Sequence, residues 1–553
     1  MKLLPLLLVL ALAPGAFAHS GEWGAMPPPV TYPPDPLPKW PGPHTMAPKN
    51  TPGEAPRRTG RRAPRGTTRS GWSRWWNLHR ERILGPGPNP PALAAKEREA
   101  VLAALRKALG DESVEVRTSA IVALGRARDV TRVPHLVKLL RAKTTPVSEL
   151  QSSLLALGLL GAADEETRVL VRGMLASDRW STEVRSYAAY AIGFAGGESG
   201  RAALAARLAD PKTAAGLRAA AAAALGLLGA DEAGPALAKA LDAGHETNPG
   251  VRAFAAASLA SVSAGEGRTA LMQTLDDFDL GVARQSALSL GAYSDPWARK
   301  ALLDALSGGD DPVTRAYAGL ALADAGDLKA LEPLAKAAAD SDAVLAAHSA
   351  VALGLLARRA KSGAAKARVQ LLIAARLNDV AGNDLTGALA AAGALAGAKS
   401  LAGRYAELLP AGGDPEVRGH AAFAFGLLGG DEAALLPLIA PGTPIPLLRE
   451  VGLVTARRGS TAAAKRFRDL LAADGPESSR CLAAVTLGRF PGGADALVAI
   501  LADRSQPELV RGCAAVGLGR RLETARPSPL ALTALRLSPE LVGGPVREVI
   551  SMR

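Results

Sequence analysis

The sequence predicts an all-α fold, an α-solenoid of about thirteen helix-turn-helix repeats preceded by a disordered, Pro-rich, basic linker. Three observations carry this. A register of Arg, then apolar and Ala positions, then Leu-Gly or Leu-Ala recurs near positions 125, 158, 193, 226, 260, 291, 323, 354, 393, 426, 457, 488 and 519, in steps averaging 33 residues. Each register is preceded by a second segment whose apolar residues fall at three- and four-residue spacing, as in VPHLVKLLRA from Val133. Composition agrees: hydrophobic residues make up 48% of the chain but aromatics only 4%. Ala and Leu suit thin seams between helices, whereas a single large core draws on more rings.

Taken in order, residues 1–18 read as a secretory signal, with Lys2 as the basic start, an apolar run over 3–12 and Ala16, Phe17 and Ala18 as an A-x-A cleavage site. The mature chain then begins at His19, secreted or periplasmic. Its apolar run is too short to span a bilayer comfortably, and no later uncharged stretch reaches eighteen residues. No Cys follows the cleavage site, which argues against a lipid anchor.

Residues 19–91 form the linker. Seventeen of the forty prolines lie between Pro27 and Pro91, so the backbone is extended and has no core of its own. Residues 19–90 carry a net charge of +7 out of +13 for the chain. Within the linker Arg57, Arg58, Arg61, Arg62, Arg65 and Arg69 form a basic run, either a solvated spacer or a tether for an acidic cell-surface polymer or anionic membrane. No aromatics alternate with these arginines, which disfavours nucleic acid. Near 72–84 a short helix would place Trp72, Trp75, Trp76, His79 and Ile83 on one face. Three readings stand: a cap over the open end of the first repeat, a membrane-interface foot, or a partner-docking anchor.

The repeats follow over 92–538, with a tail at 539–553. Asp311-Pro312 and Asp414-Pro415 start helices; Gly161, Gly229 and Gly429 end them. The run Asp414-Pro415-Glu416-Val417-Arg418 to Gly429 fits D-P-x-V-R-x-x-A-A-x-A-L-G-x-L-G, and by this the chain resembles the HEAT-repeat superfamily, in particular its short, phycobilisome-lyase-like repeats. The resemblance implies stacked helical pairs, and an inter-repeat ladder in which each Arg meets a turn Asp. It also implies, as one alternative, a lyase-like chaperone enzyme, which the export signal disfavours. The register departs from the pattern between 354 and 393, a step of 39 residues, and the repeats near 260, 323 and 457 lack the Gly. The stack is expected to bend or loosen there.

The ladder arginines are Arg117, Arg185, Arg218, Arg252, Arg315, Arg418, Arg449, Arg480 and Arg511. Each falls in the first turn of its helix, where the macrodipole disfavours a cation, so an acid is expected nearby. Asp111, Glu183, Asp311, Asp414 and Glu416, in the preceding turns, are the candidates. The alternative is a face of guanidiniums that binds phosphates or carboxylates.

Catalytic signatures are missing from the sequence: no H-E-x-x-H, C-x-x-C, Walker loop or G-x-S-x-G. Asp276, Asp277 and Asp279 faintly resemble a calcium loop, but Leu288 stands where the closing Glu belongs. His19 could chelate copper through its imidazole and the new α-amine, though no further ligands are in view. Cys481 and Cys513 sit on neighbouring second helices, a spacing wider than a disulfide needs, so two free buried thiols are expected.

The functional expectation is a non-enzymatic scaffold without cofactor, holding a protein partner outside the cytoplasm. The alternative is a polyanion- or cell-surface-binding protein acting through its basic tether. Mass spectrometry of protein from the native host should give a mature N-terminus at His19. An intact Met1 on chain recovered from the cytoplasm overturns the assignment.

Overall fold

Apolar helices that each leave two faces uncovered must stack, and the question the sequence leaves is where the stack ends. In the computed structural model, which describes residues 71–85, 91–161, 164–262, 265–380 and 384–523, it does not end. Among the described residues there are twenty-six α-helices, six 3-10 turns and no strand. None of these helices is long and apolar enough to cross a membrane.

Thirteen helices carrying the Leu-Gly register form an inner layer, from Val114–Arg126 to Glu508–Leu522, each packed on the next. The helix before each of them forms an outer layer, beginning with Ala95–Ala108 and ending with Ala494–Ala502. In the eleventh unit two 3-10 turns, Glu432–Ala434 and Leu436–Leu438, replace the outer helix. Glu508–Leu522 packs on Val114–Arg126 as fully as most neighbouring pairs do, and Ala494–Ala502 meets Ala95–Ala108. The array is therefore a closed ring.

The joint between last and first units uses the same chemistry as the others. At Gly125 an added methyl would lie 2.8 Å from the Ala156 Cα; at Gly519 it would lie 2.8 Å from the Ala123 Cα. Backbones this close exclude any side chain at the register glycine. Across the joint the Ser113 hydroxyl donates to Glu508 (2.7 Å), Arg504 pairs with Glu112 (2.8 Å) and Arg511 pairs with Asp111. Behind it Arg521 donates to the Pro91 carbonyl at 2.7 Å.

Two expectations are corrected. There is no open end at the first repeat to cap, because the last repeat occupies it. The long 354-to-393 step does not loosen the stack: Ala343–Arg359 and Gly363–Asp379 are simply longer helices, and a methyl at Gly354 would fall 2.5 Å from Ala392 backbone atoms. Cys481 and Cys513 are free and buried, and a hydrogen bond to Cys513, with burial, pushes the Cys481 thiol well above its ordinary pKa.

Gly519→Val should overpack the joint and cost about 1–3 kcal/mol. Hydrogen exchange should then show protection falling together in residues 508–522 and 114–126, at opposite ends of the sequence. Loss confined to 508–522 would mean an array with a free end.

Candidate functional site

The inner helices run parallel, so their first turns lie on one edge of the ring and their last turns on the other. Trp72–Leu84 lies against four consecutive inner helices, Ala343–Arg359, Asp384–Ala396, Pro415–Leu427 and Ile445–Arg457. Their outer faces are covered by the outer layer, which leaves the inside of the ring for this helix. At its start the Trp72 indole donates to the Asp384 carboxylate at 2.7 Å and packs on His420 with ring centroids 4.5 Å apart. One turn on, Trp76 meets Phe423 edge-on at 5.9 Å. At its end Arg358 donates to the carbonyls of Ile83 (3.0 Å) and Leu84 (3.1 Å), and Arg457 to those of Leu84 (3.1 Å) and Gly85 (2.9 Å). Two guanidiniums on the last carbonyls satisfy orphan acceptors and oppose the negative end of the helix dipole, each worth about 0.3–2 kcal/mol.

Asp384 begins its helix, whereas Arg358 and Arg457 lie in the last turns of theirs. The helix thus crosses the full depth of the inner layer, parallel to it, with Gly71 at one edge and Gly85 at the other. Trp72, Trp75 and Trp76 are only 1%, 3% and 0% exposed. They neither cap the first repeat nor present a foot or anchor to a partner; they pack inside the ring against the eighth to eleventh inner helices. Sequence periodicity found the helix and its apolar face but not its destination.

A buried charge cluster sits midway along it. Arg80 pairs with Glu450, which Arg449 also contacts at 3.1 Å. Burial pushes the Glu450 carboxyl up, but the Arg80 and Arg449 guanidiniums outweigh it and hold the pKa at about 2. Burial drives His420 the other way, down to about 4, and neither of its ring nitrogens has a hydrogen-bond partner among the described residues.

The arginine ladder is internal. Arg185, Arg315, Arg418, Arg480 and Arg511 donate to the carbonyls of Leu175, Leu306, Leu409, Leu471 and Leu501, which end or follow the preceding outer helices. The cation placed badly for its own helix is placed well for the dipole of that neighbour. The acid comes from the following repeat: Arg117 bonds Glu149 (2.9 Å), Arg218 bonds Glu246 (2.9 Å), and Arg252 pairs with Asp277. Arg315 reaches Asp340 at 4.0 Å. Two anticipated acids pair elsewhere, Asp311 with Arg284 and Asp111 with Arg511. Arg185 pairs with Asp178 of its own turn and Arg449 with the adjacent Glu450. Asp414 serves instead as an N-cap for Glu416 and Val417.

Arg284, bonded to both oxygens of Asp311 at 2.9 Å, is a rung that the sequence reading missed. Asp277 and Asp279 are occupied by Arg252 and by capping Val282, which accounts for two of the three carboxylates of the apparent calcium loop. Arg57, Arg58, Arg61, Arg62, Arg65, Arg69 and His19 lie outside the described residues.

The joint holds a second strained charge pair. Burial, with the Glu508 carboxylate nearby, raises Glu115 to about 7. Its folded pKa exceeds the unfolded value near 4.5, so the joint weakens as pH rises between those values.

Compared with known proteins, residues 92–158 and 243–323 match the HEAT repeats family. No curated protein matches the chain. Among solved structures it is similar to human deoxyhypusine hydroxylase in complex with glycerol, at 23% identity and TM-score 0.22, over 53% of this chain and 96% of that one. It is also similar to the CpcE–CpcF complex of phycocyanin lyase from Nostoc, at 20% identity and TM-score 0.28, over 53% and 97%. Importin beta aligns at 14% identity and TM-score 0.38, over 77% of this chain and 68% of that one. Within the solenoid, residues 92–158 and 243–323 are thus the stretches that match HEAT repeats.

Docking of the inner helix should weaken on acidification. His420 stays neutral in place but takes a proton near pH 6.5 once exposed, and Glu450 keeps its charge in place but loses it near 4.5 once exposed. Tryptophan fluorescence should shift to the red as pH falls from about 6.5 towards 4. In His420→Phe the onset should move to below about pH 4.5, where only Glu450 titrates.

Proposed function

We infer that this ring of HEAT repeats is a non-catalytic protein-binding scaffold acting outside the cytoplasm. The observation that carries the reading is the seat of Trp72–Leu84. Four consecutive inner helices already hold an amphipathic helix by apolar packing, a buried ion pair and arginines on its final carbonyls. This is the mode in which grooves bind helical peptides, here with the chain's own segment as occupant. Action outside the cytoplasm rests on Lys2, the apolar run after it and the Ala16-Phe17-Ala18 site. A basic tether over residues 57–69 would add attraction to acidic surfaces.

The test compares full-length mature protein with a chain lacking residues 19–70, which keeps the inner helix, as bait in the extracellular or periplasmic fraction. A partner retained by the shortened chain supports the ring as scaffold. One lost with residues 19–70 transfers the function to the tether. In Arg358→Ala/Arg457→Ala, which removes four hydrogen bonds from the inner helix, capture should rise if the partner competes for the same wall.

A further inference from the structure

The edge of the ring where the inner helices end is electrically divided. After the second to seventh inner helices the turns are residues 161–164, 196–198, 229–232, 260–266, 291–295 and 324–327, and they contain no Lys or Arg. Asp164, Glu198, Asp231, Glu232 and Glu266 stand exposed there. After the remaining inner helices the balance shifts to basic, with Arg128, Lys361 and Arg458 exposed in the turns, Arg358 and Arg359 at the end of Ala343–Arg359, and Lys399 in the 3-10 turn that follows Asp384–Ala396. Asp431 and Glu432 after Pro415–Leu427 and Glu523 after Glu508–Leu522 depart from this, as Lys329, in the 3-10 turn Leu328–Ala330, does on the acidic side. A helix C-terminus favours a cation, but that applies equally to all thirteen helices and cannot explain why six consecutive turns have none.

Arg128 shows that the basic half is kept against a local cost. It takes φ +56°, and the next residue closes a bond from Asp129 N–H to the Leu124 carbonyl. The same turn recurs at Gly326, Gly397 and Gly459, with φ of +70°, +66° and +68°. There the left-handed backbone costs a glycine little; Arg128 bears the strain of a Cβ.

We propose that this edge is a docking face for a second copy of the chain, two rings stacking so that the basic half of each covers the acidic half of the other. Both halves lie on the same edge, so a twofold axis in that face, along the boundary between them, superimposes opposite signs in both directions. An extended polyanion would account for the basic half alone and leave the acidic half repelling it. Trp297, 67% exposed at the border of the acidic half, and Leu328, 43% exposed one unit further on, give the contact apolar anchors. Attraction between exposed charges steers and orders such a contact more than it tightens it, so the dimer is salt-sensitive.

Sedimentation equilibrium of the full chain should give twice the chain mass in about 0.02 M salt and the monomer mass in about 0.5 M, where the screening length falls below about 5 Å. Lys361→Glu/Lys399→Glu weakens the basic half, and Glu198→Lys/Glu232→Lys/Glu266→Lys reverses most of the acidic half. Each variant should be monomeric alone, with unchanged circular dichroism, and the two should pair when mixed. Arg128→Gly should melt higher yet associate more weakly. A monomer at every salt concentration, or variants that fail to pair, overturns the proposal. Monomers that bind heparin, lost in the lysine-reversed variant, reassign the basic half to a polyanion.

Discussion

Closure is the constraint on which the rest of this structure depends. A linear stack of repeats tolerates small differences in rotation between neighbours, since the error is carried out to a free end. A ring does not: thirteen rotations must add to one full turn, or the last glycine, Gly519, cannot reach Ala123. The rungs help to regulate this. Some arginines hold a carboxylate of the next repeat, others hold the end of the outer helix before them, and Arg315 and Arg511 do both, so the rungs together bear on the angle between neighbours as well as their distance. The thirteenth rung, Arg511 to Asp111, is the same device applied across the joint.

Much of the fold was legible in the sequence because it is local. The thirteen register marks, the N-caps at Asp311 and Asp414 and the apolar face of 72–84 depend on residues a few positions apart. What was not legible is what accumulates. Closure is a sum of small rotations, and no single repeat records the total. The acid of each rung was sought in the preceding turn, where chain proximity suggests it, but superhelical stacking brings the following turn nearer. Arg284 escaped notice because it stands one residue later in its helix than the other arginines do, with Ala283 at the usual position. Trp72, Trp75 and Trp76 were recognised as something to be covered, yet their destination at Asp384 and Phe423 is over three hundred residues away and leaves no sequence signature.

Charge is placed in this molecule according to distance from water. Inside the ring, Arg80 and Arg449 both pair with Glu450, and breaking the cluster would leave a buried ion unpaired. At the joint, Glu115 and Glu508 oppose one another, which makes this the one interface between repeats described above that loosens towards alkaline pH while the inner helix loosens towards acid. The two windows overlap: between about pH 4.5 and 6.5 the joint loosens as pH rises while the inner helix loosens as it falls, and the weakening from Glu115 is complete by about pH 7.

The path of Trp72–Leu84 has a mechanical consequence. Trp72–Leu84 runs from Gly71 at one edge to Gly85 at the other, inside a wall built by residues that follow it in the chain. During synthesis the helix emerges long before the thirteenth repeat, and the wall can assemble around it like a collar, with no need to pass a loose end through a finished hole. Once Arg511 has met Asp111 the order cannot easily be undone. Release of the helix sideways would require the joint to open.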